Sequence, residues 1–277
     1  MNGKQHIRPK KRLSQHFLQS DADAGQIVSA LALDPEDTVL EIGAGLGVLT
    51  HHLLREGGTI IAVEVDTALC EVLRGQFGDS PRLCLLNKDI LNLDLGAVRR
   101  EHGDKPLKVI GNLPYALTTP IFFHLLHHRT DIGSAVLTVQ KEVADRIVAS
   151  PGGKEYGALS IAIQYHAAVE RLFDLPASAF YPQPMVDSTV LRLRMLRQPS
   201  VAVQDEALFF RTVRASFQQR RKMLRNALSA AFKLAPEDLQ SVSDSSGIDL
   251  RRRGETLSLV EFGRLSDTVQ KAMASRS

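Results

Sequence analysis

The sequence Asn112-Leu113-Pro114-Tyr115 carries the most specific chemical signal in the chain. The side-chain carbonyl of Asn112 and the main-chain carbonyl of Leu113 or Pro114 can accept hydrogen bonds from the amino group of an extruded base. Such an amine is a poor nucleophile because its lone pair is conjugated with the ring. Two acceptors favour the pyramidal form and stabilise the positive charge that develops during attack. Tyr115 offers a ring for stacking, so this segment is predicted to activate an aromatic amine.

A glycine-rich turn upstream predicts a nucleoside pocket. Gly43, Gly45 and Gly47 stand at alternate positions between a predicted strand and a predicted helix, where the backbone must turn sharply and admit a ligand. Glu64 ends the next predicted strand, 21 positions after Gly43, where an acid can accept hydrogen bonds from both ribose hydroxyls. Asp89 follows the third strand, where a carboxylate can accept from an adenine amino group.

Together these motifs resemble those of the S-adenosylmethionine-dependent ribosomal RNA adenine dimethyltransferases. The similarity runs from about residue 10 to residue 260 and rests on residues 41–47, Glu64, Asp89 and residues 112–115. The resemblance implies that S-adenosylmethionine lies against the glycine turn and the two acids, and leaves as S-adenosylhomocysteine. It also implies that Asn112 faces both the donor and the target adenine.

An N-terminal motif extends the similarity. Residues 15–18, Gln-His-Phe-Leu, match the family segment that closes over the cofactor, which implies cofactor contacts from His16 and Leu18. Three basic residues that we expect to contact RNA precede this motif: Lys10, Lys11 and Arg12.

A proline-rich segment, residues 180–188, resembles the family sequence Phe-x-Pro-x-Pro-x-Val-x-Ser. Its first aromatic residue, Phe180, is implied to stack on the target adenine opposite Tyr115. Met185 stands where the family usually has lysine.

A basic stripe on a predicted C-terminal helix indicates a polyanionic partner. At about 100° per residue, one arc holds the basic residues Arg211, Arg214, Arg221, Lys222 and Arg225. No Asp or Glu occurs between Glu206 and Glu237, so we expect this stripe to contact RNA phosphates. Residues 217–226 also resemble the basic helix of bacterial family members that act on the small ribosomal subunit.

The elements that must position these residues alternate between short apolar strands and helices. Strands are predicted at residues 38–42, 59–64, 83–86, 107–110 and 135–139, with helical patterns at residues 46–55, 67–77 and 119–128. This alternation predicts a doubly wound, mostly parallel sheet. Residues 168–175 and 186–195 are expected to add an antiparallel pair, giving a seven-stranded Rossmann-like α/β fold.

The strand pattern stops near residues 198–200, and helices are predicted beyond it. We therefore expect a catalytic, cofactor-binding domain over residues 1–197, with residues 1–18 closing over the cofactor. A small all-helical RNA-binding domain is expected over residues 198–277.

The composition is that of a globular protein, with 44% hydrophobic and 23% charged residues among 277. Residues 1–12 contain five basic and no acidic residues, and residues 200–277 contain 13 basic and 9 acidic residues. Two cysteines are too few for a disulfide framework, and no apolar run could span a bilayer. These features predict a cytoplasmic protein. The histidines lack metal-ligand spacing, so no metal is expected.

The resemblance implies an enzyme that dimethylates two adjacent adenosines near the 3′ end of small-subunit (16S) ribosomal RNA during 30S assembly. We expect a monomer whose partner is the immature 30S subunit.

The nearest alternative is a large-subunit RNA adenine methyltransferase of the macrolide-resistance type, which shares the pocket. A non-enzymatic ribosome-assembly factor is another. DNA adenine methyltransferases usually carry proline where Leu113 stands, and Val48 disfavours a nicotinamide-dependent dehydrogenase.

Overall fold

The computed structural model of the chain describes residues 15–218 and 222–275. Within these residues the chain forms two compact units. The first comprises the residues up to 144 together with residues 168–197, and the second comprises residues 145–167 together with those from 198 onward. No helix within the described ranges is long and apolar enough to cross a bilayer.

Among the described residues, nine strands lie mainly in the first unit. They are β1 (Phe17–Leu18), β2 (Thr38–Ile42), β3 (Thr59–Val63), β4 (Leu83–Leu86), β5 (Leu107–Asn112), β6 (Ile132–Gln140), β7 (Ala167–Leu175), β8 (Phe180–Tyr181) and β9 (Ser188–Met195). Seven of them form one sheet in the order β4-β3-β2-β5-β6-β9-β7, parallel from β4 to β6 and antiparallel between β6 and β9. The seven-stranded, mostly parallel sheet predicted from the sequence is confirmed.

The central strands are mostly apolar because both faces of the sheet are covered. All five residues of β2 are buried, for example, although one of them is an acid. The strands β1 and β8 form a separate two-stranded antiparallel ribbon. This ribbon joins the segment before α1 to the segment that precedes β9.

Helices precede, connect and follow the parallel strands of the first unit. They are α1 (Asp21–Ser29), α2 (Val48–Glu56), α3 (Thr67–Phe77), α4 (Leu95–His102), α5 (Thr118–His127) and α6 (Lys141–Val148), the last of which continues into the second unit. The α3 helix has the predicted bounds, because Asp66 caps its first turn by accepting a hydrogen bond from the Ala68 N–H at 3.1 Å.

The second unit is helical. It contains α7 (Ala158–His166), α8 (Glu206–Gln218), α9 (Leu224–Phe232), α10 (Pro236–Ser246) and α11 (Leu259–Ala274). The sequence-based division placed residues 145–167 in the first domain, but the structure packs them into this helical core. The Tyr165 ring stacks on the Phe209 ring with centroids 4.7 Å apart, and Tyr156 and Ile161 lie in the same apolar cluster. The burial of these residues depends on partners distant in sequence.

Candidate active site

A cleft of about 1010 Å³, including the part open to solvent, lies at the carboxyl ends of the parallel strands. It is lined by the loops that follow β2, β3, β4 and β5, and by residues 15–18. Loops at this edge of a parallel sheet are the usual place for a ligand in α/β folds. The cleft therefore gathers all but one of the predicted cofactor residues: His16, Leu18, Gly43, Gly45, Glu64, Asp89 and Asn112. Gly47 is the exception, because it does not line the cleft.

The glycine turn has the backbone that its sequence predicts. Gly43, Gly45 and Gly47 have φ angles of 72°, 59° and 81°, a region that residues with a side chain rarely adopt. A Cβ at Gly47 would lie 2.5 Å from Phe77 and 2.9 Å from Leu73, whereas one at Gly43 would meet nothing closer than 4.0 Å. Gly47 is thus required by packing and by conformation, while Gly43 leaves an open surface toward the cleft.

Glu64 closes the glycine turn from the next strand. Its Oε2 accepts a hydrogen bond from the Gly45 N–H at 2.9 Å, and its Oε1 accepts one from the Asp66 N–H at 2.9 Å. Burial raises the pKa of this carboxyl, although both hydrogen bonds oppose the rise. Each oxygen keeps a second lone pair, so the residue can orient the turn and still accept from a ligand hydroxyl.

Glu41 is a buried acid of the cleft to which the sequence analysis gave no role. Its Oε2 accepts a hydrogen bond from the Thr50 hydroxyl at 2.6 Å, and no described residue hydrogen-bonds its Oε1. Burial, together with the nearby charge of Glu64, raises the pKa of Glu41 to about 8. Glu41 is the first residue of the glycine motif and lies in a mostly apolar strand. An acid at such a position is the sequence feature that could have marked it as a functional residue.

Asp89 lies at the cleft wall, where the loop after β4 begins. Its Oδ1 accepts a hydrogen bond from the Leu91 N–H at 3.0 Å and so caps a short helical turn over residues 90–92. The half-buried carboxylate lines the cleft. This is the position in which it could accept from an adenine amino group.

Asn112 ends β5 at the cleft and holds a defined orientation. Its Nδ2 donates a hydrogen bond to the main-chain carbonyl of His16 at 2.8 Å. The side-chain oxygen Oδ1 is therefore the atom that remains to accept from a ligand amine.

Of the two main-chain carbonyls considered as the second acceptor, that of Pro114 is already occupied. It accepts from the Leu117 N–H at 2.9 Å and from the Thr118 hydroxyl at 3.2 Å. No described residue donates to the Leu113 carbonyl, while the Leu113 N–H donates to the Thr138 carbonyl at 3.0 Å. Leu113 thus offers the open acceptor.

Tyr115 is held at both ends of its side chain. Its hydroxyl lies 3.0 Å from the Ser188 Oγ, and its ring stacks on the His16 imidazole with centroids 5.0 Å apart and planes at 25°. Burial raises the pKa of the Tyr115 hydroxyl. The ring is therefore fixed as a stacking surface beside Asn112.

Phe180 does not occupy the place that the resemblance implies. Its side chain is only 2% exposed and packs with Leu18 in the apolar core, and the ring is not part of the cleft wall. The next residue, Tyr181, is 56% exposed. Side chains alternate along β8, so when Phe180 packs inward Tyr181 must face outward. The expected pairing of Phe180 with Tyr115 across the cleft is thus not observed.

The predicted basic stripe does not form on one helix. Within the described residues α8 runs to Gln218 and α9 begins at Leu224, and Met223, directly before α9, is extended (φ −68°, ψ 153°). The first N–H groups of α9 are satisfied elsewhere, since Leu224 donates to the Arg252 carbonyl at 2.8 Å and Arg225 donates to the Leu250 carbonyl at 3.0 Å. The helical phase therefore does not continue from α8 into α9.

The basic residues have different environments. Arg214, Lys222 and Arg225 are exposed and form no ion pair within the described residues. Arg211 instead packs on α9, where its guanidinium lies 4.7 Å from the centre of the Phe232 ring and donates to the Ala231 carbonyl at 2.9 Å. Four predicted RNA contacts lie outside the described residues: Lys10, Lys11, Arg12 and Arg221.

Three histidine rings lie close together at the end of α5. The His124 and His128 rings lie 4.8 Å apart, and the His127 and His128 rings lie 5.1 Å apart. Burial lowers the pKa of His124. In the part of the chain that the structure describes, no group of three or more His, Cys, Asp or Glu side chains is placed to hold a metal ion.

Comparison with known sequences matches almost the whole chain. A profile of the ribosomal RNA adenine dimethylase family matches residues 7–266. The chain is 42% identical to ribosomal RNA small subunit methyltransferase A of Clostridium perfringens, covering 98% of this chain and 94% of that protein. It is 40% identical to the protein of the same name in Clostridium acetobutylicum, covering 97% and 96%.

Solved structures share the fold at lower identity. A dimethyladenosine transferase from Plasmodium falciparum superposes with a TM-score of 0.73 at 23% identity, covering 90% of this chain and 96% of that one. The 23S rRNA methyltransferase ErmE superposes with a TM-score of 0.68 at 22% identity, covering 92% and 99%. These two structures establish the fold.

Proposed function

The chain belongs to the ribosomal RNA adenine dimethylase family, and we propose that it transfers methyl groups from S-adenosylmethionine to the exocyclic amino nitrogen of adenine in small-subunit ribosomal RNA. The relatives that are about 40% identical over nearly the full chain carry the name of a small-subunit methyltransferase. The observation that carries the proposal is the arrangement of the Asn112 side-chain oxygen and the Leu113 carbonyl beside the glycine turn.

The cleft fits the methyl donor in shape and in chemistry. Gly43 leaves room for a close approach of the ligand, Glu64 retains acceptor capacity for ribose hydroxyls, and Asp89 can accept from the adenine amino group. When bound, the donor supplies a methyl group activated by an adjacent sulfonium. Gly43, Gly45, Glu64 and Asp89 would hold the nucleoside part of the donor, and Gly47 supports the turn by packing on α3.

The chain itself activates the amine. Asn112 Oδ1 and the Leu113 carbonyl accept the two amine hydrogens, which favours the pyramidal nitrogen and leaves its lone pair free to attack. The Tyr115 ring fixes the plane of the base, so that the nitrogen is oriented before the reaction. No general base is needed before attack, because the alkylated nitrogen becomes acidic and loses its proton to solvent afterwards.

The second unit supplies the side chains that would contact the RNA backbone. Arg214, Lys222 and Arg225 are exposed cations with no acidic partner among the described residues. By contrast, Arg251, Arg252 and Arg253 are each paired with an acid, at 2.9, 2.5 and 4.0 Å respectively. The three unpaired cations are therefore the better candidates for phosphate contacts.

The same enzyme chemistry could serve another RNA, as it does in the large-subunit alternative. The fold does not separate the two, because the chain superposes on a dimethyladenosine transferase and on a 23S rRNA methyltransferase with similar TM-scores, 0.73 and 0.68. The sequence relatives favour the small subunit. The resemblance further implies dimethylation of two adjacent adenosines near the RNA 3′ end, on an immature 30S subunit.

One assay tests the proposal. Purified protein is incubated with radiolabelled S-adenosylmethionine and, separately, immature small subunits, large subunits, protein-free RNA and DNA. We expect label in small-subunit RNA as dimethyladenosine. Label only in large-subunit RNA or in DNA, or no label in any substrate, would overturn the proposal.

A further inference from the structure

Residues 15–18, which we call the cleft strap, are tied to the segment that precedes β9. In the β1–β8 ribbon, Phe17 pairs with Tyr181 and Leu18 pairs with Phe180. The Gln19 N–H continues the ribbon by donating to the Ala179 carbonyl at 2.9 Å. The cleft strap therefore has a fixed register on the cleft wall.

His16 makes three defined contacts from this strap. Its carbonyl accepts from Asn112 Nδ2 at 2.8 Å, its ring stacks on Tyr115 at 5.0 Å, and its Nδ1 lies 2.6 Å from the Pro182 carbonyl. Because a carbonyl can only accept, the His16 Nδ1 carries the hydrogen. Two of these partners, Asn112 at the end of β5 and Tyr115 just after it, lie where the target base is proposed to bind, and the third, Pro182, directly follows β8.

The contact with Asn112 decides which atom of the amide faces a ligand. The carboxamide has an oxygen that accepts and a nitrogen that donates, with nearly the same shape. The His16 carbonyl can bond only the nitrogen, so it holds Oδ1 toward the amine. If the amide turned over, its NH₂ group would face the NH₂ group of adenine, and neither could accept.

We infer that His16 is a positioning residue for the target adenine, orienting the Asn112 amide through its carbonyl and holding the Tyr115 ring through its imidazole. This inference rests on the proposed function and deepens it. It differs from the role that the family resemblance implies, a contact with the methyl donor. The two roles predict different effects when His16 is replaced. If His16 positions the adenine, turnover at saturating donor falls; if it contacts the methyl donor, donor affinity falls.

Three variants separate these roles. His16→Ala removes the ring stack and the hydrogen bond to Pro182, so the main-chain carbonyl of residue 16 is no longer held in place by its side chain. His16→Phe keeps a ring over Tyr115 but loses the Nδ1–H bond. His52→Ala is the matched control, because His52 also makes a single side-chain bond, to Asp21 at 2.9 Å, but lies outside the cleft wall.

Turnover on immature small subunits and calorimetric binding of S-adenosylhomocysteine are measured for each protein. We expect His16→Ala to lower kcat at saturating donor by about 10- to 100-fold, with donor affinity within about threefold of wild type. His16→Phe should recover most of that loss, and His52→Ala should match wild type. A donor affinity that falls as much as turnover, or unchanged kcat in His16→Ala, would overturn the inference.

A double-mutant cycle tests whether His16 acts through Asn112. In single-turnover measurements, His16→Ala should lower the rate by a clearly smaller factor once Asn112→Ala is present, because the Asn112 amide, one of the two groups that His16 positions, is gone. Fully multiplicative losses would mean that the two residues act independently, which would overturn the inference. Wild-type activity in the same assay keeps this test separate from that of the proposed function: if wild-type protein is active and the His16 variants equal it, only the inference fails.

Discussion

The main-chain N–H of Gly45 donates to Oε2 of Glu64 at 2.9 Å, so the acid at the end of one strand holds the glycine turn that follows its neighbour. The other oxygen of Glu64 accepts from the Asp66 N–H, also at 2.9 Å. The carboxylate is thus an organiser of the turn as well as a candidate ligand for ribose. A residue that only bound ribose would leave the turn intact when it was replaced.

Glu64→Gln should disturb both roles. A carboxamide has one oxygen, so its NH₂ would face either the Gly45 N–H or the Asp66 N–H and leave that buried donor unsatisfied. Such a group costs about 1–3 kcal/mol, and we expect a similar loss in the binding of S-adenosylhomocysteine, roughly 5- to 150-fold. Calorimetry measures the affinity, with the exposed Glu71→Gln as the control. Unchanged affinity in Glu64→Gln would argue against this role.

Asn112→Ala should separate binding from chemistry. The variant removes an acceptor for the target amine but leaves Gly43, Glu64 and Asp89 in place. We expect donor affinity to stay nearly intact while turnover falls by about 10²-fold or more. Calorimetry and single-turnover assays measure the two quantities, and the unfolding temperature checks that the fold persists. Loss of donor binding in step with turnover would contradict the assigned role.

Neutralising Arg214, Lys222 and Arg225 together should weaken RNA binding and reduce its salt dependence. Each phosphate contact that is lost should flatten the slope of log K against log [salt] by about 0.7–0.9. Binding is measured at several salt concentrations, with Arg251→Gln as the control because that guanidinium is paired with Asp249 at 2.9 Å. An unchanged slope in the triple variant would exclude phosphate contacts by these residues.

Glu41 should make the stability of the protein pH-dependent. The pKa of the Glu41 carboxyl is 4.5 in the unfolded chain, and burial raises it to about 8 in the folded protein. The protonated Glu41 carboxyl contributes to the free energy of unfolding. This contribution is fully present below pH 4.5 and is lost as the pH rises through 8, by about 1.4 kcal/mol per pH unit between the two values.

Glu41→Gln should remove this pH dependence. The unfolding temperature of the variant should therefore rise relative to wild type as the pH is raised from about 5 to about 9. The exposed Glu56→Gln is the control and should show a constant difference from wild type. A Glu41→Gln difference that is also constant with pH would contradict the raised pKa.

The sequence by itself determined the features that depend on local chemistry. Glycines at residues 43, 45 and 47 predicted a turn, and all three have the positive φ that only glycine adopts easily. Apolar runs predicted the parallel strands, since a strand covered on both faces is mostly apolar. The parallel topology then brought Glu64, Asp89 and Asn112 to one edge of the sheet, as their positions at strand ends implied.

Tertiary structure decided what depends on partners far along the chain. Phe180 packs inward and Tyr181 faces outward because β8 pairs with β1, which no local pattern specifies. The basic stripe is divided because the carbonyls of residues 250 and 252 accept hydrogen bonds from the first N–H groups of α9. In addition, the Arg211 guanidinium packs on the Phe232 ring. The periodicity of a helix or strand shows which of its residues share a face. Which face is buried is set by the free energy of packing against residues that are distant in the sequence.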